Sequence, residues 1–153
     1  MAAPESYNWS RMNNLQVGRY AEYLVKMEFT LWGHSVFGAE VDDRGIDFVI
    51  RTEAGRHYDV QVKSTRSLNS IFFPKDKFEL RENMLGATVI LIEGEPPSLH
   101  LFPATAWMAP NALLVDRDYE GKKSKPEWGL NISHKNMDLM SAYSFDKVVR
   151  ALS

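Results

Sequence analysis

Residues 45–63 read Gly-Ile-Asp-Phe-Val-Ile-Arg-Thr-Glu-Ala-Gly-Arg-His-Tyr-Asp-Val-Gln-Val-Lys. Ile46, Phe48 and Ile50 alternate with Asp47, Val49 and Arg51, and Tyr58, Val60 and Val62 alternate with Asp59, Gln61 and Lys63. A period of two is the mark of a strand with one apolar face, so two strands are expected, over 45–52 and 56–64. Between them Glu53-Ala54-Gly55 offers a three-residue connection, with glycine where a common hairpin loop needs a positive φ. Closing it pairs 52 with 56. Ile46 then faces Val62, Phe48 faces Val60 and Ile50 faces Tyr58, while Asp47 lies across from Gln61. A slip of one residue would set apolar against polar side chains, so this register is strongly preferred.

The register has a chemical consequence. Opposed residues have Cβ atoms about 5 Å apart, and Lys63 lies two residues along the same face, roughly 7 Å away. A carboxylate, an amide oxygen and an ammonium thus converge on one patch. Asp47 can ligate a divalent cation, the Gln61 carbonyl can be a neutral ligand, and the Val62 backbone carbonyl is a third candidate. Oxygen donors of this kind suit magnesium, which keeps several waters and accepts substrate phosphate. Lys63 can stabilise phosphoryl oxygens and orient an attacking water. The same polar face also arises on any solvent-facing side of an amphipathic hairpin, and these residues alone leave both readings open.

Outward from the hairpin, residues 14–32 repeat apolar positions at three- and four-residue intervals and predict a helix. Asn13 or Asn14 can cap it and Gly33 can end it. A short strand is expected over 35–41, a loop with a helical turn over 74–84, and strands over 88–93 and 99–102 split by Gly94-Glu-Pro-Pro97. A short strand over 112–115, a charged loop over 116–127, a strand over 128–132 and a helical end to Leu152 complete the chain. Helix, strands and helix again predict an α/β or α+β domain with a central mixed sheet.

The chain has 153 residues, 44% hydrophobic and 25% charged, which suits one globular domain over 1–153. No apolar run approaches a membrane span and no secretion signal opens the chain. Cysteine is absent, so disulfides, thiolate metal sites and cysteine nucleophiles are excluded. A cytoplasmic location is the expectation. Net charge is −2, yet residues 51–81 hold 7 basic and 4 acidic groups, a local basic segment that can meet phosphate. The four histidines share no metal-ligand spacing. Asp116, Asp118, Glu120, Gly121 and Glu127 match the positions of an EF-hand loop, but Lys123 and Pro126 break the pattern and the flanks do not read as helices. A charged surface loop is expected there, and its Lys122, Lys123 and Lys125 can touch a nucleic-acid backbone.

Gly18-Arg-Tyr-Ala-Glu22 on the helix, Gly45-Ile-Asp47-Phe on one strand and Val60-Gln-Val-Lys63-Ser on the next together resemble the PD-(D/E)XK nuclease superfamily, in its QxK form. The nearest resemblance is to archaeal Holliday-junction resolvases and Mrr-type restriction endonucleases, and it covers residues 14–66. It implies a restriction-endonuclease-like three-layer α/β fold, a central mixed sheet flanked by helices, with an α-β-β-β-α-β core. It implies an endonuclease that hydrolyses DNA phosphodiester bonds with magnesium, manganese being a possible substitute. By the resemblance Asp47 and Gln61 would hold the metal, joined by the Val62 carbonyl named above, Glu22 would help to bind the metal or a metal-bound water, and Lys63 would be the catalytic lysine. Lys75, Lys77, Arg81 and Arg66 are the candidates for nucleic-acid contacts, with DNA as partner, no membrane, and a homodimer as a possible assembly. Gln61 stands where many members have glutamate, which removes one negative charge from the metal site, and no proline precedes Gly45-Ile-Asp47. The alternative is therefore a catalytically weakened module on the same scaffold that binds nucleic acid or a protein partner.

Overall fold

The computed structural model describes residues 4–39, 45–121 and 123–152. Helix α1, Asn14–Leu31, starts at a capping box. Asn13 accepts from the Gln16 N–H and the Gln16 side chain accepts from the Asn13 N–H, both at 2.9 Å. Gly33, at φ +87°, ends it. Val17, Ala21, Val25 and Phe29, spaced by four, form its buried stripe.

Strand β1 (Ser35–Gly38) runs antiparallel to β2 (Phe48–Arg51), and β2 runs antiparallel to β3 (His57–Thr65). The register is the expected one: Phe48 opposes Val60 and Ile50 opposes Tyr58. The turn closes through Thr52 N–H to Arg56 carbonyl at 2.9 Å, with Gly55 at φ +89°. Strand β5 (Met84–Ile90) lies parallel to β3, and β6 (Ser98–Pro103) antiparallel to β5, giving a mixed sheet in the order β1-β2-β3-β5-β6. A second sheet, β4-β8-β7, holds β4 (Ile71–Pro74), β7 (Leu114–Arg117) and β8 (Glu127–Leu130). Helices α2 (Met137–Ser141) and α3 (Phe145–Ala151) follow.

The fold is mixed α/β, with a central sheet flanked by helices. Alternation along β3, β5 and β6 sends Tyr58, Val60, Leu85, Ala87 and Leu101 to one core with α1 and α3, where Phe29 and Phe145 meet edge to face at 4.9 Å. The opposite face packs Met84, Ile90 and Phe102 against the second sheet, Trp107 and Met140.

Three differences from the sequence reading have physical causes. First, the crossover between the parallel strands β3 and β5 carries no helix; it runs through β4 in the second sheet, because Ile71-Phe-Phe73 is an apolar, aromatic segment that buries alternate residues. Second, β5 begins at Met84 rather than 88. Gly86 weakens the local strand signal, and its missing side chain is what admits Phe73, whose Cζ would lie 2.8 Å from a β-carbon there. Third, the two strands that flank the expected charged loop reach further into it, β7 to Arg117 and β8 from Glu127, because Asp116 pairs with Trp128 and Arg117 with Glu127. The expected end of β1 at Val41 and the loop residue Lys122 lie outside the described residues.

Candidate active site

Strand β2 begins at Phe48, opposite Val60, while β3 runs on to Thr65, so beyond Val60 the edge of β3 that faces β2 has no strand partner from it. The Asp47 N–H still donates to the Val60 carbonyl at 2.9 Å, but the next ladder position is filled by a side chain: the Val62 N–H donates to Asp47 Oδ2 at 2.7 Å. The carboxylate is thereby held at the sheet edge, at the fork where β2 leaves β3. In an extended strand the N–H and C=O of one residue point to the same side, so the Val62 carbonyl also faces this fork.

Two clefts lie near these residues. One, of about 390 Å³, is lined by Asn14, Leu15, Gly18, Arg19 and Glu22 of α1 with Ala39 and Asp47. Residues 15, 18, 19 and 22 fall on one helical face, which is why Glu22 reaches the fork. Its carboxylate pairs with Lys26 at 3.2 Å, and the Lys26 ammonium sits 5.5 Å from the centre of the Phe48 ring. The other cleft, of about 330 Å³, is lined by Gly45, Gln61, Lys63, Pro74, Asp76, Lys77 and Lys125. The four expected residues are thus brought together in pairs, Glu22 with Asp47 and Gln61 with Lys63. Gly45 lines the second cleft and Asp47, two residues on, lines the first.

Gln61 is the unusual member. It is 5% exposed, and its Oε1 is buried with no hydrogen-bond partner. A buried amide oxygen without a donor is costly, and a cation beside it would remove that cost. The Glu22 and Asp47 carboxylates line the first cleft and the Gln61 amide the second; with the Val62 carbonyl they are hard oxygens, the donor chemistry that fits magnesium or manganese. Among the described residues no group of three or more His, Asp or Glu side chains could hold a metal. Any cation here relies on the neutral oxygens as well. Gly45, at φ +73°, lines the second cleft at close range: a β-carbon there would stand 2.8 Å from Lys77 Cβ, 3.1 Å from the Lys77 carbonyl oxygen and 3.2 Å from Gln61 Nε2.

The four expected nucleic-acid contacts separate in the structure. Lys77 lines the cleft. Arg66 donates to the carbonyls of Trp9 (3.2 Å) and Met12 (2.7 Å) and to Asn14 Oδ1 (2.9 Å), tying the N-terminal segment to β3. Arg81 pairs with Asp59 at 2.6 Å and bonds Asn83. Lys75 pairs with Asp116 and lies 4.1 Å from the centre of the Trp128 ring. Asp76 was not among the expected residues. It reaches the cleft because β4 pairs with β8, a long-range event with no local signal, and that pairing also delivers Lys125.

No family model matches the sequence, and no curated protein matches it. Among solved structures the chain resembles Hjc, a Holliday junction resolvase from the archaeal hyperthermophile Archaeoglobus fulgidus, with a TM-score of 0.55 and 13% identity over 87% of this chain and 95% of that one. A bacterial homing endonuclease, I-Ssp6803I, aligns with a TM-score of 0.48 and 14% identity over 74% of this chain and 84% of its own. The first likeness establishes a nuclease-like fold.

Proposed function

We propose that the chain is a magnesium-dependent nuclease of the PD-(D/E)XK type that hydrolyses DNA phosphodiester bonds. The observation that carries this reading is the Asp47 carboxylate, held at the start of β2 by the Val62 N–H, with the two flanking residues of β3 being Gln61, whose buried amide oxygen has no partner, and Lys63.

In this mechanism Asp47, Glu22, Gln61 Oε1 and the Val62 carbonyl would hold the divalent cation. When bound, the cation stabilises the charge that builds on the phosphoryl oxygens. The hydrogen bond from Val62 fixes Asp47 before substrate arrives, so no reorganisation is needed at that group. Lys26, one turn along α1, balances the charge of Glu22. Lys63 donates to a non-bridging phosphoryl oxygen and orients the water that attacks in line.

Gln61 leaves the fork with two acidic side chains, which favours weaker metal binding than a third carboxylate would give. That feature supports the second reading, a module that binds DNA and cleaves it poorly. Incubation of linear, nicked, single-stranded and four-way-junction DNA with magnesium or manganese separates the two, comparing the native protein with Lys63→Ala. Cleavage by the native protein and its loss in a folded Lys63→Ala variant are expected. No cleavage by the folded native protein with either metal would overturn the nuclease reading. Retention of DNA in chelator would then establish the binding module.

A further inference from the structure

The second cleft contains more cationic groups than the reaction needs. Lys63 is assigned to the reacting phosphate, but Lys77 and Lys125 line the same space with Asp76. Among the described residues neither Lys63 nor Lys77 has an ion-pair partner, and Lys125 pairs only with Asp76, at 3.2 Å. Both members of that pair are largely exposed, at 74% and 50%, so solvent screens it and little holds it closed. The other basic side chains of the segment are already engaged, Arg66 and Arg81 by the bonds described above and Lys75 by Asp116 and Trp128.

The walls are fixed. The Lys75 N–H donates to the Pro126 carbonyl at 3.0 Å, binding the β4 end to the start of β8, and the Lys77 N–H donates to the Pro74 carbonyl at 3.0 Å. Gly45 packs against the Lys77 backbone with no room for a side chain, and the buried Gln61 amide lines the same space. Three lysines and one aspartate give the cleft a local charge of +2 in a chain whose net charge is −2. Lysine ammonium groups are point charges that suit backbone phosphate and carry no sequence preference.

We propose that this cleft is a second phosphate site for the DNA backbone, beside the reacting phosphate, in which Lys77 and Lys125 receive the phosphate and Asp76 is the counter-ion it displaces. The proposal rests on DNA being the ligand, as in the function proposed above. It predicts effects of opposite sign from neighbouring residues. In the protein without DNA, Asp76 occupies Lys125; a phosphate must replace that contact. Removing the carboxylate therefore strengthens DNA binding, and removing either lysine weakens it.

The test is fluorescence anisotropy of a labelled DNA duplex with the full chain in EDTA, over a salt series from about 50 to 200 mM. Each variant alters an exposed side chain, and an unchanged melting temperature checks that it is folded. Lys77→Gln and Lys125→Gln are each expected to weaken binding and to reduce the slope of log K against log salt by about 0.9, the loss of one phosphate contact. Asp76→Asn is expected to tighten binding roughly two- to fivefold, the scale of an exposed ion pair. That gain should vanish in the Asp76→Asn/Lys125→Gln double variant. Unchanged slopes in both lysine variants would overturn the proposal. So would weaker binding in Asp76→Asn, or a gain that persists without Lys125. Inorganic phosphate at constant ionic strength is the second probe. If it protects the native protein from thermal unfolding while the lysine variants bind duplex normally, the cleft takes free anions and the proposal fails. Because EDTA prevents cleavage, these results stand apart from the outcome of the Lys63→Ala cleavage assay.

Discussion

Replacing Gly45 by alanine tests how the site is built. The residue has φ +73°, and a β-carbon would stand 2.8 Å from Lys77 Cβ and 3.1 Å from the Lys77 carbonyl oxygen. The left-handed backbone costs an alanine about 1–2 kcal/mol. The close contacts are to the base of a side chain and to backbone, so the loop carrying Lys77 must shift, at a cost of about 1–3 kcal/mol for overpacking. The expected loss is therefore about 2–5 kcal/mol by urea denaturation, or roughly 2–4 °C of melting temperature for each kcal/mol. Two controls separate the contributions. Gly94, at φ +80°, has nothing within 4 Å of its β-position, so Gly94→Ala should lose only the backbone cost. Gly86 has no positive φ, and a β-carbon would meet Phe73 at 2.8 Å and Phe78 at 3.2 Å, so Gly86→Ala should lose only the packing cost. Gly45→Ala should lose about the sum, and should also weaken DNA binding because Lys77 and Gln61 are displaced together. A Gly45→Ala variant no less stable than Gly94→Ala would refute the reasoning.

Two further expectations follow from buried polar groups. Gln61→Glu adds a carboxylate to the two in the proposed metal site. It should destabilise the metal-free protein and enlarge the rise in melting temperature with magnesium or manganese, by about 1.4 kcal/mol for each tenfold gain in affinity; identical shifts in both proteins would remove Gln61 from the metal site. His100 is buried on β6, and burial lowers its pKa from 6.5 to about 4. The unfolded chain therefore takes up its proton first, and stability contributed by neutral His100 is full above pH 6.5 and falls as pH drops toward 4, by about 3 kcal/mol. His100→Gln should lack this component; parallel stability–pH curves for the two proteins between pH 6.5 and 4 would contradict it.

The parts of the molecule that were legible in the sequence are those set by local periodicity. The α1 stripe, its Asn13 cap and Gly33 stop, and the β2–β3 register all follow from neighbours within a few residues, because side-chain direction repeats every two or 3.6 positions. What the periodicity does not carry is pairing across long separations. The role of β4 depends on meeting β8, more than fifty residues later, and only that meeting places Asp76 and Lys125 beside Lys63. The site was legible to the same limit. Alternation placed Asp47 opposite Gln61, but the late start of β2 at Phe48, which turns the Asp47 side chain into a ladder acceptor, has no pattern of its own. Arg66 shows the converse: its charge suggested phosphate, while three acceptors from the N-terminal segment engage it.

The hydrogen bond from Val62 to Asp47 has a consequence for how such a sequence can drift over generations. An acceptor at position 47 is required by the backbone whether or not the chain cuts DNA, since losing it would orphan a Val62 N–H at a cost of about 1–3 kcal/mol. Selection for folding alone therefore retains aspartate or asparagine there. Lys63 has no ion-pair partner among the described residues and is under no such hold. In descendants released from catalysis, position 63 should vary first, and an acid preserved at 47 beside a changed residue at 63 would mark a scaffold kept for its shape.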